Sequence, residues 1–160
     1  MEGSKSPAKL IIVCGLPGSG KTTYAKQLET ELRAIRFCAD EWMDALLLDL
    51  WDEAIRAKIE ALQWEFCQRL LALGLTTIIE WGTWGRSERA ALRTRAQELG
   101  AKVELHYLTA PIEVLLERIE RRRMENPPIT REHLLQWTKT FQSPAKEEFT
   151  LFDRAVTVEV

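Results

Sequence analysis

A parallel α/β fold is what this 160-residue sequence predicts, and three observations predict it. The run "KLIIVCG" near the start is apolar at consecutive positions, so a strand there is buried on both faces, as parallel strands are. Four later runs rich in apolar or β-branched residues alternate with longer segments whose apolar residues recur every three or four positions. Strand and helix signals in strict alternation imply helices on both faces of one sheet, joined by right-handed crossovers.

The elements follow in order. Residues 21–32 read as a helix, with Ala25, Leu28 and Leu32 on one stripe. "AIRFCA" is a second, short strand. Asp40 follows it and can cap a helix running to Leu47. Residues 51–73 carry the longest stripe (Trp51, Ile55, Ile59, Leu62, Phe66, Leu70, Leu73), and Gly74 stops it. "LTTIIEW" is the third strand. Ser87 is placed to cap a helix to Leu99, which Gly100 ends. "KVELHYL" is the fourth strand. Pro111 suits a first helical turn, and that helix reaches about Arg123 before "ENPPI" breaks it. Thr130 caps a helix to about Thr140. "FQSPAKEEF" reads as irregular, and "RAVTVEV" is the fifth strand. Residues 1–8 read as a flexible tail, and 9–160 as a single domain with a short lid near 118–130.

Composition is that of a globular chain, 46% hydrophobic and 29% charged. A net charge of −2 gives no overall basic field to draw in nucleic acid. Cys14, Cys38 and Cys67 are odd in number, match no metal spacing and sit among apolar residues. They read as buried reduced thiols of a cytoplasmic protein. No apolar run has the length of a membrane span.

The turn after the first strand carries the chemistry. Gly15-Leu16-Pro17-Gly18-Ser19-Gly20-Lys21-Thr22 fills every fixed position of G-x-x-x-x-G-K-T, between a buried strand and a helix. Glycines let backbone N–H groups approach anionic oxygens, and the helix start adds unpaired N–H groups and a positive dipole end. Lys21 then reaches the β- and γ-phosphates, the Thr22 hydroxyl ligates Mg²⁺, and Thr23 completes the loop. A strand–helix turn without a ligand needs neither lysine nor threonine. No guanine-reading N/T-K-x-D stretch follows, which favours ATP.

Phosphoryl transfer also needs a carboxylate for the acceptor proton and cations on the moving group. Asp40 and Glu80 each follow a strand end, where open α/β sheets place their ligands. Asp40 is the expected base, and Glu80 the expected Mg²⁺ or acceptor contact. Each could instead be structural, as a helix cap or a strand-end carboxylate. Arg118 and Arg122 lie one helical turn apart, ahead of Arg121 and Arg123, beside the break. They suit a lid that closes on triphosphate. Trp42, Trp81 and Trp84 flank the two carboxylates and suit a flat acceptor, although packing alone would explain them. Trp51, Trp64 and Trp137 fit core stripes.

The ordered set "GLPGSGKTT", "CADEWM", "IIEWGTWGRSERAALRTRAQELGAKVELHYL", "PIEVLLERIERR" and "FQSP" spans about residues 9–158. It resembles the P-loop kinase family that includes the 5′-kinase domain of bacteriophage polynucleotide kinase, zeta toxins, chloramphenicol phosphotransferase and proteins labelled AAA family ATPase. The resemblance implies a P-loop NTPase sandwich of three α/β/α layers, its five-stranded parallel sheet ordered 2-3-1-4-5 as in nucleotide kinases. It implies transfer of the ATP γ-phosphoryl group to a hydroxyl, with Asp40 as general base, Arg118 and Arg122 on phosphate and Arg89 near substrate. Glu80 stands where many relatives carry Asp. Gly82 stands where the polynucleotide kinase has Asn, which argues against a polynucleotide acceptor. The expected activity is a small-molecule O-kinase using ATP and Mg²⁺. The alternatives are a polynucleotide or RNA 5′-hydroxyl kinase, and an ATP-binding switch or ATPase without an acceptor.

Overall fold

The computed structural model describes residues 6–159. Residues 1–5, most of the expected tail, and Val160 lie outside the described residues. Twelve elements follow one another there: β1 (Lys9–Cys14), α1 (Lys21–Leu32), β2 (Ile35–Phe37), α2 (Ala39–Ala45), α3 (Glu53–Ala72), β3 (Thr77–Ile79), α4 (Arg86–Glu98), β4 (Lys102–Thr109), α5 (Ile112–Arg122), α6 (Arg131–Thr140), α7 (Lys146–Phe149) and β5 (Arg154–Glu159). The strands form one sheet in the order β2-β3-β1-β4-β5, and every pair is parallel.

The period of two along β1 explains the layers. Leu10, Ile12 and Cys14 face a core shared with Cys67 and Leu71 of α3 and Leu92 and Ala96 of α4. Ile11 and Val13 point the other way, onto Ala25 of α1, with Ile78 and Leu108. A continuous apolar run was therefore needed, because each side chain has a helix above or below it. A third cluster, Leu115, Ile119, Ile129 and Leu134, packs α5 on α6 and takes in Leu16 of the glycine-rich turn.

Several helix starts differ from the sequence expectation by one to three residues. Cys38, not Asp40, caps α2, which leaves Asp40 inside the first turn. Asp52 caps α3 by accepting from Ile55 N–H, and Gly85 rather than Ser87 precedes α4. Thr130 caps α6 as its position implied. The stretch read as irregular contains the single turn α7, held by the buried Glu148. Ala8, placed in the tail by sequence, is buried, and its carbonyl accepts from Lys102 N–H. Among the described residues, no helix is long and apolar enough to cross a membrane.

Candidate active site

The phosphate loop is the turn from β1 to α1. Gly18 sits at φ 81°, and a Cβ there would stand 2.5 Å from the Leu115 carbonyl oxygen, so only glycine lets α5 lie against the loop. Gly20, also left-handed, opens α1 with no side-chain cap. The loop suits an anion for a structural reason. Ser19 N–H turns in to Leu16 O. Among the described residues the amides of Gly18, Gly20, Lys21 and Thr22 find no backbone acceptor outside regular elements. The buried Ser19 hydroxyl has no partner either. Lys21 Nζ donates to the carbonyls of Gly15 (2.9 Å) and Leu16 (3.0 Å), which arches it over the loop. Burial pushes its pKa down, while Glu80 and Asp40 act against that.

Glu80 lies just past β3, beside the loop. Its Oε1 accepts from the Thr22 hydroxyl at 2.5 Å, and its Oε2 from Arg36 Nη1 at 2.9 Å. Oxygen donors at this spacing suit a hard cation such as Mg²⁺, which binds one or two protein oxygens and fills its octahedron from phosphate and water. Thr22 and Glu80 are the residues that would hold it. Arg36 itself is nearly buried and joins three carboxylates: Glu29 of α1, Glu41 of α2 and Glu80. Burial opposes its charge, and the three partners outweigh burial and raise its pKa.

Gly18, Gly20, Lys21, Thr22 and Glu80 line one cavity of about 1180 Å³. Arg118 and Arg122 line it from α5. Arg118 Nη1 donates to Gly18 O at 3.2 Å, and Arg122 pairs with Glu125 at 2.6 Å. Arg121 points away, paired with Glu117 on the surface, and Arg123 is the left-handed residue that ends α5. Asp40 faces the cavity from α2 and is ion-paired with Arg56 of α3. Arg56 also donates to the Leu50 carbonyl at 2.6 Å.

The aromatic expectations are redistributed. Trp84 lines the cavity and meets Trp137 at a ring separation of 5.8 Å. Trp137 in turn meets Trp51 at 6.1 Å. Trp51 and Trp137, assigned to core by their stripes, are thus walls of the cavity. Trp51 Nε1 also donates to Pro127 O at 2.7 Å, which ties the segment between α5 and α6 across the mouth. Trp42 is not on the cavity; it packs edge-on against Phe37. Trp81 touches the cavity but is buried, with its Nε1 given to Gln63 at 2.7 Å. Arg89 is a correction. It is fully buried, its guanidinium binds Glu148 and the carbonyls of Thr83 and Gln142, and it lies off the cavity. It anchors α7 and the turn after β3 rather than a substrate.

Sequence reasoning missed Arg36, Arg56, Glu60 and Glu88. A signal existed for part of the set: Glu53, Arg56 and Glu60 are spaced by three and four, one polar face of a helix read chiefly for its apolar stripe. Arg36 was visible as a lone charge within a short strand. All three cysteines are buried, and burial pushes their thiols up to about 12, where they stay protonated and inert.

A parallel sheet in this order, with a phosphate loop after the first strand, defines a nucleotide-kinase-like P-loop fold. A family model described as an AAA domain matches residues 10–144, and the chain belongs to that family of P-loop kinases. Solved structures share the fold. Kti12 of Chaetomium thermophilum, in complex with ADP-AlF3, is similar with a TM-score of 0.70 and 20% identity over 94% of this chain and 88% of that one. A gluconokinase from Sinorhizobium meliloti 1021 gives 0.62 and 18% over 98% and 83%. The APS kinase CysC of Mycobacterium tuberculosis, in complex with AMPPNP and APS, gives 0.61 and 20% over 95% and 90%. A comparison of the sequence with curated proteins finds no match.

Proposed function

We propose that this protein transfers the γ-phosphoryl group of ATP to a hydroxyl of a small molecule in the cytoplasm. The observation that carries the reading is a single cavity with two unlike ends: a phosphate seat with Lys21, Arg118 and Arg122, and beyond it Asp40 among tryptophans. Free amides and the Lys21 ammonium hold the β- and γ-phosphates. Arg118 and Arg122 stand where charge builds on the moving group. Mg²⁺, when bound at Thr22 and Glu80, neutralises charge on the phosphate oxygens. Asp40, kept oriented by Arg56, takes the acceptor proton as the acceptor oxygen bonds to phosphorus. The bond to the bridging oxygen breaks, and ADP leaves with that electron pair.

Among the alternatives, a polynucleotide acceptor is disfavoured by the carboxylates Glu53, Glu60 and Glu88 on the far end, which would repel a phosphodiester chain. An ATPase without an acceptor is disfavoured by the tryptophan walls, since water needs none. The test is a screen of hydroxyl compounds with γ-labelled ATP, in which transfer is counted against free phosphate. Wild type should label an acceptor, and Asp40→Asn should keep ATP affinity while transfer falls about 10²–10⁴-fold. Phosphate release alone, equal in both proteins, would leave an ATPase.

A further inference from the structure

We propose that Trp51 is a positioning residue for phosphoryl transfer: its indole ties the strap that follows the lid arginines to the segment that orients Asp40. The proposal rests on the phosphoryl-transfer reading of this cavity and adds the part that keeps the lid cations and the base in register.

The strap is residues 123–130, between α5 and α6. It begins where α5 delivers Arg122 to the cavity, and Arg122 pairs with Glu125 inside it. Its other polar ties stay within the lid. Thr130 and His133 cap α6 reciprocally, and Arg131 of α6 pairs with Glu113 of α5. Among the described residues, one side-chain hydrogen bond joins residues 123–130 to an element other than α5 or α6. It runs from Trp51 Nε1 to the Pro127 carbonyl at 2.7 Å.

Trp51 belongs to the turn between α2 and α3, and the residue before it holds the base. Arg56 Nη2 donates to the Leu50 carbonyl at 2.6 Å, and its Nη1 donates to Asp40. The turn is pinned around these two residues: Asp49 Oδ1 accepts from Trp51 N–H at 2.9 Å, and the Asp49 carbonyl accepts from Asp52 N–H at 3.0 Å. Contacts thus run unbroken from Asp40 through Arg56, Leu50 and Trp51 to the strap. The indole ring adds a second joint. It lies 5.0 Å from the His133 ring and 6.1 Å from that of Trp137. It also packs on the cluster of Leu115, Ile119, Ile129 and Leu134, which takes in Leu16 of the phosphate loop.

Phosphate loop, lid and base segment therefore meet at one half-buried side chain. Packing asks only for its ring, whereas its single N–H donor is spent on the strap. Phosphoryl transfer rewards groups held in place beforehand, and lid closure completes such a set. A strap let go at Pro127 leaves Arg122 and Asp40 free to drift apart.

Trp51→Phe keeps an aromatic ring and removes the N–H. Wild type and variant are titrated with Mg²⁺ and AMPPNP, a ground-state mimic, and with Mg²⁺, ADP and aluminium fluoride, a mimic of the moving phosphoryl group. Hydrogen exchange in the AMPPNP complex reads the amides of Arg123 and Thr130, which are hydrogen-bonded at the two ends of the strap. In Trp51→Phe, AMPPNP affinity and melting temperature should match wild type. The fluoride complex should weaken, and the two amides exchange faster, by about 5–10-fold, the scale of one hydrogen bond. Arg56→Met frees the Leu50 carbonyl and should speed the same two amides. The double variant should be no faster than the faster single one, because both break one chain of contacts. Unchanged exchange in either single variant would overturn the proposal, and so would additive effects. Equal weakening of both nucleotide complexes with a lowered melting temperature would overturn it too, leaving Trp51 a packing residue. Wild type that binds no nucleotide, or gains no affinity from fluoride, would sink the phosphoryl-transfer reading instead, and exchange in the two variants would judge the tie by itself.

Discussion

The two ends of the cavity are built on different plans. The phosphate end comes from one unbroken stretch, residues 15–22, and works mostly through the main chain. The proposed acceptor end comes from α2, α3, α4, α6 and the turn after β3, and is lined by side chains, among them Asp40, Glu60, Trp84 and Trp137. A phosphate seat needs amides, a helix start and one ammonium, all of which a short loop supplies. An acceptor seat has to match a particular molecule, so its parts are free to come from anywhere in the fold. The first end is common chemistry. The second is where proteins that share one fold can take on different acceptors.

The largest effect that separates the ends is expected at Lys21. Lys21→Ala removes the ammonium arched over the loop at Gly15 and Leu16. Transfer should fall by about 10²–10³ or more, the cost of losing one preorganised stabiliser of transition-state charge. Acceptor affinity, read by tryptophan fluorescence, should not change. If acceptor affinity falls with transfer, the two ends are one coupled site and the contrast drawn above is broken.

That same contrast governs what was legible in the sequence. The alternation and the phosphate loop follow from contiguous signals: the apolar run of β1, the fixed spacing of glycines and Lys21, and Thr130 before α6. The sheet order came from the family resemblance that those motifs carry. The acceptor end did not read out, because residues 40, 60, 84, 88 and 137 come from four helices and a turn and line one cavity only once these have packed. The stripe of α6 fits Trp137 to a core, and part of its ring does pack, against Trp51 and Trp84. A stripe shows which face is apolar but not whether a neighbour or a ligand covers it. Arg89 failed for the reverse reason. The family resemblance implied a substrate contact there, while Glu148, 59 residues on, claims its guanidinium. No local pattern announces that partner.

Arg36 gives the second, smaller test, because it bridges the ends. It fixes Glu80 at the phosphate side and, through Glu41, the first turn of α2 that carries Asp40. In Arg36→Met, Glu80 keeps only the Thr22 contact, and the Mg²⁺ needed for half-maximal nucleotide binding should rise about 10–100-fold, the usual cost of losing a residue that orients a metal ligand. Arg36→Lys should recover part of this by restoring one charge. A Mg²⁺ requirement that stays the same in both variants, with melting temperature lowered, would make Arg36 a structural tie alone.

The smallest effect is a dependence on pH that belongs to the acceptor end only. Glu60 is raised from an ordinary 4.5 to about 7 by burial, and then by Glu88 of α4, with Asp40 of α2 and Glu53 of α3 adding to the rise and Arg56 of α3 opposing it. Between those values the folded chain holds a proton on Glu60 that the unfolded chain has already lost. Stability contributed by this group is therefore present near pH 4.5 and is lost as pH climbs through 7. Melting temperature should drop across that window by a few degrees, on the order of what about 1 kcal/mol produces in a chain of this length. Glu60→Gln cannot ionise and should flatten the slope. Lys21→Ala leaves Glu60 and its neighbours in place and should retain the wild-type slope, so a slope that vanished there would mean the titrating group sits at the phosphate end instead.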